Sequence, residues 1–253
     1  MYATVTDRSG RAVKGLRAED FVVLEDDVPQ KITTFVGGDF PAAVALAIDR
    51  SFSMKGVPLT MARTAGRVFV ASLKPEDRVM LISISGDVEV LAPLSTDREP
   101  LHKALASLDP WSTTSLNDAL IKSINLLEDE SGRRAIVVLS DGADRYSQAT
   151  EVDVLSRARR SDVLLYPIAL GRTRPAMFVE LATLTGGRSF HLDDPKDLQA
   201  TLQSIAEDLG AQYLLGYAPA TPLRPGGADW RSIMVRVNRP DVTVRARSGY
   251  SAR

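Results

Sequence analysis

Residues 42–53 read AAVALAIDRSFS and decide the fold of this chain. The first seven residues form an unbroken apolar run, which is typical of a strand buried on both faces of a sheet. The run ends at Asp49, and the hydroxyls of Ser51 and Ser53 follow at alternate positions. This stretch therefore predicts an α/β sheet that presents one carboxylate and two hydroxyls at the edge where the strand ends.

A second apolar run ends in the same way. Residues 135–139 read AIVVL and are followed by Ser140, Asp141 and Gly142. In a doubly wound sheet of strand order 3-2-1-4-5-6, the first and fourth strands are neighbours, and ligands bind in the crevice at their carboxyl ends. Because Asp49 ends the first strand and Asp141 follows the fourth, we expect their carboxylates to meet at this edge.

The central region alternates buried strands with amphipathic helices, which predicts a doubly wound, mostly parallel six-stranded sheet with helices on both faces. The third strand follows the second through the short link 85–87, so we expect it to be an antiparallel edge strand. It returns the chain to the edge that carries the aspartates, where residues 110–114 can deliver another hydroxyl. The predicted strands lie near residues 42–48, 78–84, 87–91, 134–140, 162–169 and 188–191, and the helices near 57–73, 97–108, 115–128, 150–160, 175–185 and 195–209.

Both ends of the chain consist of short strand-like runs that are separated by turns. Strand-like runs occupy residues 2–6, 21–24, 32–36, 232–237 and 242–247. Neither end is large enough to bury its apolar face alone. We therefore predict that residues 1–38 and 211–253 form one small β-sandwich into which the α/β domain, residues 39–210, is inserted. The shared core is expected to contain Val5, Val23, Ile32, Val235, Val237 and Val244. Turns or loops are predicted at residues 26–29 and 223–227.

Composition limits the classes of function. The chain has 253 residues and is 44% hydrophobic, as expected for a globular protein with a substantial core. Its formal net charge of -1 gives no indication of binding to nucleic acid or to an acidic membrane surface. No apolar run approaches the roughly 20 residues that span a bilayer. The absence of cysteine excludes disulfides, thiolate metal sites and a cysteine nucleophile.

Three motifs together resemble the metal-ion-dependent adhesion site of the von Willebrand factor type A domain. They are Asp49-x-Ser51-x-Ser53, then Thr114 ahead of Leu116-x-Asp118-Ala119-Leu120, and Ser140-Asp141-Gly142. The resemblance covers about residues 40–210 and implies a Rossmann-like fold. It implies that the metal ligands are Asp49, Ser51, Ser53, Thr114 and Asp141. One departure is at Ser112 and Thr113, where such domains often carry two glycines, and the spacing to Asp118 favours Thr114 over Thr113 as the ligand.

The two chain ends are similar to a bacterial group of VWFA-related domain proteins. The matching residues are 15–21, 25–26, 213–217 and 247–250. This resemblance implies an exported protein, periplasmic or extracellular. No signal peptide is recognisable, but a predicted strand follows Met1 at once, so we expect natural upstream residues to be missing from this chain.

Carboxylates and hydroxyls are hard oxygen ligands, which suit Mg²⁺ or Mn²⁺ better than any soft metal. We predict Mg²⁺ or Mn²⁺ in preference to Ca²⁺. Because only Asp49 and Asp141 are charged, the ion stays electrophilic, and an Asp or Glu carboxylate of a partner protein can replace a water in its shell. We therefore predict an adhesion-like protein-binding module. Loops around Phe52, Met54, Trp111 and Tyr146 are expected to set its specificity.

Two other classes of function stay open. The same residues could serve a metal-dependent phosphoryl or ester hydrolase, although no G-x-S-x-G motif is present and the two histidines, His102 and His191, lie outside the motifs. The third class is a structural assembly module with a vestigial site.

Helix capping is the structural alternative for some of these residues. Asp49 and Ser51 are residue types favoured at helix N-termini, but the two further motifs favour a metal site. Asp118 follows Ser115 by three positions, which resembles a capping box with Asp in place of Glu. We assign Asp118 that structural role.

Overall fold

A computed structural model describes residues 1–38, 40–220 and 230–251 of the chain. The strands in these residues are β1 (Tyr2–Asp7), β2 (Phe21–Glu25), β3 (Val28–Gln30), β4 (Ile32–Gly37), β5 (Ala42–Asp49), β6 (Arg78–Ile84), β7 (Val88–Ser95), β8 (Arg133–Ser140), β9 (Leu164–Leu170), β10 (Phe190–Leu192), β11 (Tyr213–Tyr217), β12 (Trp230–Val237), β13 (Val242–Ala246) and β14 (Gly249–Ser251). The α-helices are α1 (Val57–Ser72), α2 (Glu99–Ala106), α3 (Leu116–Glu128), α4 (Glu151–Arg159), α5 (Ala176–Thr185) and α6 (Leu198–Leu209). The loop predicted at 223–227 lies outside the described residues.

The central sheet has six strands in the predicted order. Across the sheet the neighbours are β10, β9, β8, β5, β6 and β7, and every pair is parallel except β6 with β7. When the strands of this domain are numbered from one, beginning with β5, the order is 3-2-1-4-5-6. The third strand, β7, is the expected antiparallel edge strand. The two outer strands of the prediction differ mainly in length, since β7 extends to Ser95.

Both faces of this sheet are covered by helices. All eight residues of β5 are buried. Alternate residues of the strand, such as Leu46, pack with α1, α2 and α6, whereas the intervening residues, such as Ala45, pack with α3, α4 and α5. This division explains the continuous apolar run, because a strand between two helical layers has no polar face. Among the described residues, no helix has both the length and the apolar character needed to cross a membrane.

The chain ends form two small antiparallel sheets. One has the order β13-β1-β11-β4 and the other β14-β12-β2-β3. Their common core is confirmed, because it contains all six residues that were predicted to share it, namely Val5, Val23, Ile32, Val235, Val237 and Val244. The exact division of the chain into domains at residues 39 and 211 stays a prediction.

Three short strands were not predicted. The predicted turn at residues 26–29 is wrong in its second half, because Val28–Gln30 is β3. The turn itself consists of Asp26 and Asp27, which have φ of 48° and 63°, and Glu25 pairs directly with Val28. Two left-handed residues make the two-residue hairpin turn that matches strand twist. The other two, β11 and β14, are only five and three residues long.

A polar cluster joins the sandwich to the central domain. The guanidinium of Arg245 on β13 lies 2.5 Å from the Asp208 carboxylate at the end of α6. The hydroxyl of Tyr166 on β9 donates to the same carboxylate (3.0 Å) and accepts from Gln212 Nε2 (3.1 Å). The cluster therefore joins residues from β9, α6, β13 and the start of the C-terminal segment.

Candidate metal centre

Four loops border the carboxyl edge of the central sheet. Loop 1 (residues 50–56) follows β5, loop 2 (107–115) joins α2 to α3, loop 3 (141–150) follows β8, and loop 4 (171–175) follows β9. The five proposed ligands lie at the end of β5 and in loops 1 to 3. They therefore lie on the side of the sheet where doubly wound folds bind ligands.

Asp49, the last residue of β5, is fully buried. Its Oδ1 accepts a hydrogen bond from the backbone N–H of Ser51 (2.8 Å), and its Oδ2 accepts one from Ser140 Oγ (2.7 Å). The hydroxyls of Ser51 and Ser53 lie 3.0 Å apart. An ionised carboxylate offers about four lone-pair sites, so the hydrogen bonds of Asp49 leave capacity for a cation.

Asp141 begins loop 3, next to the end of β8. Strand β8 pairs with β5 up to Leu139 opposite Ile48. The Oδ1 of Asp141 accepts from the backbone N–H of Ala143 (3.0 Å), which fixes the carboxylate at this edge. Gly142 has φ of 80°, and a Cβ there would overlap the ring of Pro175 in loop 4. Glycine is therefore required directly after the aspartate.

The two aspartates influence each other electrostatically. Burial raises the pKa of Asp49 above its ordinary value, the hydrogen bonds from Ser140 and Ser51 lower it, and the charge of Asp141 raises it further. A divalent cation between two such carboxylates relieves both the desolvation and the repulsion. The donor set of two carboxylates and neighbouring hydroxyls fits a hard cation.

Backbone hydrogen bonds join loop 1 to loop 2. The N–H of Phe52 donates to Ser112 O (3.1 Å), and the N–H of Trp111 donates to Arg50 O (2.7 Å). Loop 2 is therefore held against the Asp49-x-Ser51-x-Ser53 motif.

Loop 2 is also joined to loop 3. Thr114 is buried, and its carbonyl accepts from the N–H groups of Arg145 and Tyr146, both at 3.0 Å. The three loops thus form one hydrogen-bonded unit that brings the stretches with all five proposed ligands to the same edge. That these five side chains coordinate a metal stays a prediction.

The departure at Ser112 has a structural explanation. Ser112 has φ of 59°, in the left-handed region that favours glycine. The serine thus adopts a backbone conformation that glycine adopts readily. For serine this conformation costs of order 1 kcal/mol. The turn between β6 and β7 lies against this residue, since a Cβ on Gly86 would be 2.7 Å from Ser112 Oγ.

Asp118 has a structural role, but the predicted capping box is wrong. Ser115 makes no side-chain capping bond; its Oγ donates to Gly86 O (3.0 Å). The Asp118 carboxylate instead accepts from the backbone N–H groups of Gln148 (3.0 Å) and Ala149 (2.9 Å). It therefore anchors loop 3 to α3. Sequence spacing missed this role because the partners lie about thirty residues further along the chain.

The described residues contain no cluster of three or more His, Cys, Asp or Glu side chains suited to a metal ion. The candidate site differs from such clusters because its proposed ligands are two carboxylates and three hydroxyls. Hydroxyl ligands give no signal outside their motif, since serine and threonine are common surface residues. The Asp-x-Ser-x-Ser pattern together with the other two motifs was the signal that identified them.

Comparison with known proteins agrees with the fold. Residues 44–143 match the family described as von Willebrand factor type A domain, and this stretch contains all five proposed ligands. An uncharacterized protein of Borreliella burgdorferi is 24% identical over 200 residues, which cover 66% of this chain and 58% of that protein. The chain therefore spans little more than half the length of this relative.

Two solved structures are similar in fold. A von Willebrand factor type A protein from Catenulispora acidiphila has a TM-score of 0.63 at 14% identity, and the alignment covers 100% of this chain and 62% of that one. Proximal thread matrix protein 1 from the mussel byssus, with a zinc-occupied MIDAS motif, has a TM-score of 0.60 at 14% identity, covering 72% of this chain and 49% of that one. Domains of this kind are commonly protein-interaction modules. The α/β part of the chain has the Rossmann-like fold of a von Willebrand factor type A domain, and residues 44–143 match that family.

Proposed function

We propose that this chain is a metal-dependent protein-binding module, which docks an Asp or Glu carboxylate of a partner protein on a Mg²⁺ or Mn²⁺ ion. The main observation behind the proposal is that hydrogen bonds join loops 1, 2 and 3 at the carboxyl edge of the central sheet. This edge collects two carboxylates and several hydroxyls from segments far apart in the sequence. Such an arrangement has no evident use in packing alone.

The proposed ligands leave room for an external one. Asp49 and Asp141 would supply the charges, and Ser51, Ser53 and Thr114 would supply neutral oxygens. Mg²⁺ prefers about six oxygen ligands in octahedral geometry, which is more than this chain offers. Neutral hydroxyls also preserve much of the positive charge, so a carboxylate from outside is attracted to the remaining position.

The mussel protein supports a divalent ion at this position of the fold, because its MIDAS motif holds zinc. Here the proposed donors are all oxygen atoms, and oxygen donors favour Mg²⁺ or Mn²⁺ over zinc, which prefers nitrogen and sulfur ligands. Export to the periplasm or the extracellular space is part of the same proposal. It rests on the similarity of the chain ends to VWFA-related proteins, and fractionation of the source cells would test it.

The open position can be tested with Mn²⁺. Water bound to protein-held Mn²⁺ should enhance the relaxation of solvent protons, and N-acetylglutamate should reduce this enhancement by displacing water. N-acetylglutamine, which lacks the carboxylate, should not. The Asp141→Ala variant should show no enhancement. Asp109→Ala is the matched control, because Asp109 lies in loop 2 with its side chain 82% exposed, and among the described residues its ion pair is with Arg63, at 3.9 Å. If Mn²⁺ binds but N-acetylglutamate does not change the enhancement of solvent-proton relaxation, the docking of a carboxylate on the metal is contradicted.

The hydrolase alternative predicts turnover, and we expect none. The imidazole of His191 on β10 is bonded to Gly171 O (2.6 Å), and β9 separates β10 from β8. His102 lies on α2. In the described residues neither histidine is hydrogen-bonded to Ser51, as a general base for that hydroxyl would be. With Mg²⁺ or Mn²⁺, hydrolysis of p-nitrophenyl phosphate and p-nitrophenyl acetate should not exceed that of Ser51→Ala. Turnover that disappears in this variant would establish the hydrolase instead.

A further inference from the structure

We propose that the rim of the candidate metal site has an apolar half and a cationic half, and that the partner is an acidic protein segment with matching polarity. This segment carries an apolar side chain on one side of its metal-binding carboxylate and further acidic side chains on the other. The inference rests on the proposed function, because both halves are arranged around the same metal position.

The apolar half consists of Phe52 in loop 1 and Trp111 in loop 2. Their side chains are 64% and 58% exposed. The two backbone hydrogen bonds between these loops hold the segments that carry the two aromatic residues against each other. Aromatic side chains held in the open beside a site cost hydrophobic free energy, and such residues are enriched where proteins bind one another.

The cationic half consists of Arg145 in loop 3 with Arg172 and Arg174 in loop 4, all exposed. Loop 4 lies against the aspartate loop, because Pro175 packs on Gly142. Within the described parts of the chain, none of these three guanidinium groups forms an ion pair.

Several other arginines of the same domain form ion pairs. Arg157 contacts Glu128, and Arg159 contacts Glu180 at 3.2 Å. Arg50, in loop 1, is also satisfied, because it lies 3.2 Å from Glu89. Arg172 and Arg174 therefore add two positive charges, without an ion pair in the described residues, on the loop 4 side of the site, where they favour the approach of negative charge.

Sheet order places Arg172 and Arg174 on the opposite side of Asp141 from Phe52, whereas Arg145 follows Asp141 within loop 3 itself. Strand β8 lies between β9, which leads into the cationic loop 4, and β5, which leads into the aromatic loop 1. Neighbouring strands are about 4.8 Å apart, and an extended chain rises about 3.3 Å per residue. A segment crossing this edge would thus meet the loops of the neighbouring strands roughly one to two residues from its metal-binding carboxylate. Tyr146 in loop 3 is 67% exposed, and its backbone N–H bonds to Thr114 O of loop 2.

An anionic membrane surface also attracts arginine and aromatic side chains. The rim favours a protein segment over a membrane surface, because two carboxylates lie at its centre. Without a metal they repel lipid phosphate, and with a metal they place a single cation where one carboxylate can bind. Vesicles are therefore included in the test as the competing occupant.

The test uses short fluorescein-labelled peptides and fluorescence anisotropy, in Mg²⁺ or Mn²⁺ and in EDTA. The complete peptide has a central Glu, a Leu-Phe pair two residues to one side and an Asp-Asp pair two residues to the other. One variant peptide has Ser for the apolar pair, a second has Ser for the acidic pair, and a third has Gln for the central Glu. The complete peptide should bind about tenfold more tightly than either Ser peptide, and the Gln peptide should not bind.

Protein variants separate the two halves. Arg172→Ser with Arg174→Ser should weaken the complete peptide about tenfold and leave the peptide without the acidic pair unchanged. Trp111→Ser should weaken only peptides that carry the apolar pair. Arg236→Ser, an exposed arginine on β12 of the sandwich, is the control and should have no effect.

Each outcome decides one point. Metal-dependent binding that is lost in Asp49→Ala but is equal for all Glu peptides and all rim variants would overturn the divided rim and leave the proposed function standing. Absence of metal-dependent binding to every peptide would overturn both. Binding to phosphatidylserine vesicles in EDTA that is lost in the Arg172 and Arg174 double variant would show that the rim serves a membrane instead.

Discussion

Replacing Asp49 with alanine is expected to lower the affinity for Mg²⁺ and Mn²⁺ by at least about a hundredfold. Loss of a residue that only hydrogen-bonds to a metal ligand already lowers metal affinity by up to about a hundredfold, and Asp49 is a proposed ligand itself. The substitution removes one of the two proposed anionic ligands. It also removes the acceptor that holds the N–H of Ser51 and the hydroxyl of Ser140. Isothermal titration calorimetry measures the effect directly.

Two further variants make this experiment decisive. Asp49→Asn keeps the size of the buried side chain, so it separates loss of charge from loss of packing, and thermal unfolding checks that each variant is folded. Asp109→Ala in loop 2 should bind metal like the unmodified chain. If both Asp49 variants bind metal as well as the unmodified chain does, the site has been assigned to the wrong residues.

The affinity should also depend on pH. A metal ion binds the ionised carboxylate, so protons compete with it. Because burial and the neighbouring Asp141 raise the pKa of Asp49 above 3.8, this competition begins at a higher pH than for an exposed aspartate. Metal affinity is therefore expected to fall as the pH is lowered through the raised pKa, and Asp49→Asn should lack this dependence.

Removal of residues 212–253 is expected to make the chain aggregate. Strand β1 pairs with β11 and β13, β4 pairs with β11, and β12 pairs with β2, so the deletion leaves open strand edges and an uncovered apolar face. Buried Glu25 would also lose its partners Arg231 (2.7 Å), Tyr217 (2.6 Å) and Tyr250 (2.8 Å). Size-exclusion chromatography and far-ultraviolet circular dichroism measure the result.

A matched truncation tests the domain division itself. If residues 39–210 form an inserted domain, that fragment should stay soluble and bind metal, because no orphaned strand of the sandwich accompanies it. A soluble, monomeric fragment 1–211 with intact strand signal would contradict the shared sandwich.

Several features of the fold and site follow from the sequence because they depend on neighbouring residues. The apolar run before Asp49 predicts a strand buried on both faces, and alternation over residues 232–237 predicts a strand with one wet face. Both are observed. The strand order follows from general rules for doubly wound sheets, and these rules place Asp49 and Asp141 at one edge.

The tertiary structure decided which distant groups meet. The anchoring of loop 3 by Asp118, the pairing of Arg245 with Asp208 and the burial of Glu25 beside Arg231 all join residues far apart in the sequence. The same is true of Arg172 and Arg174, which become part of the rim because Pro175 packs on Gly142. Periodicity and turn chemistry act over a few residues, so they determine the strands, the helices and the ends at which the ligands lie. Contacts between loops depend on how complete layers pack, and only the folded chain defines that packing.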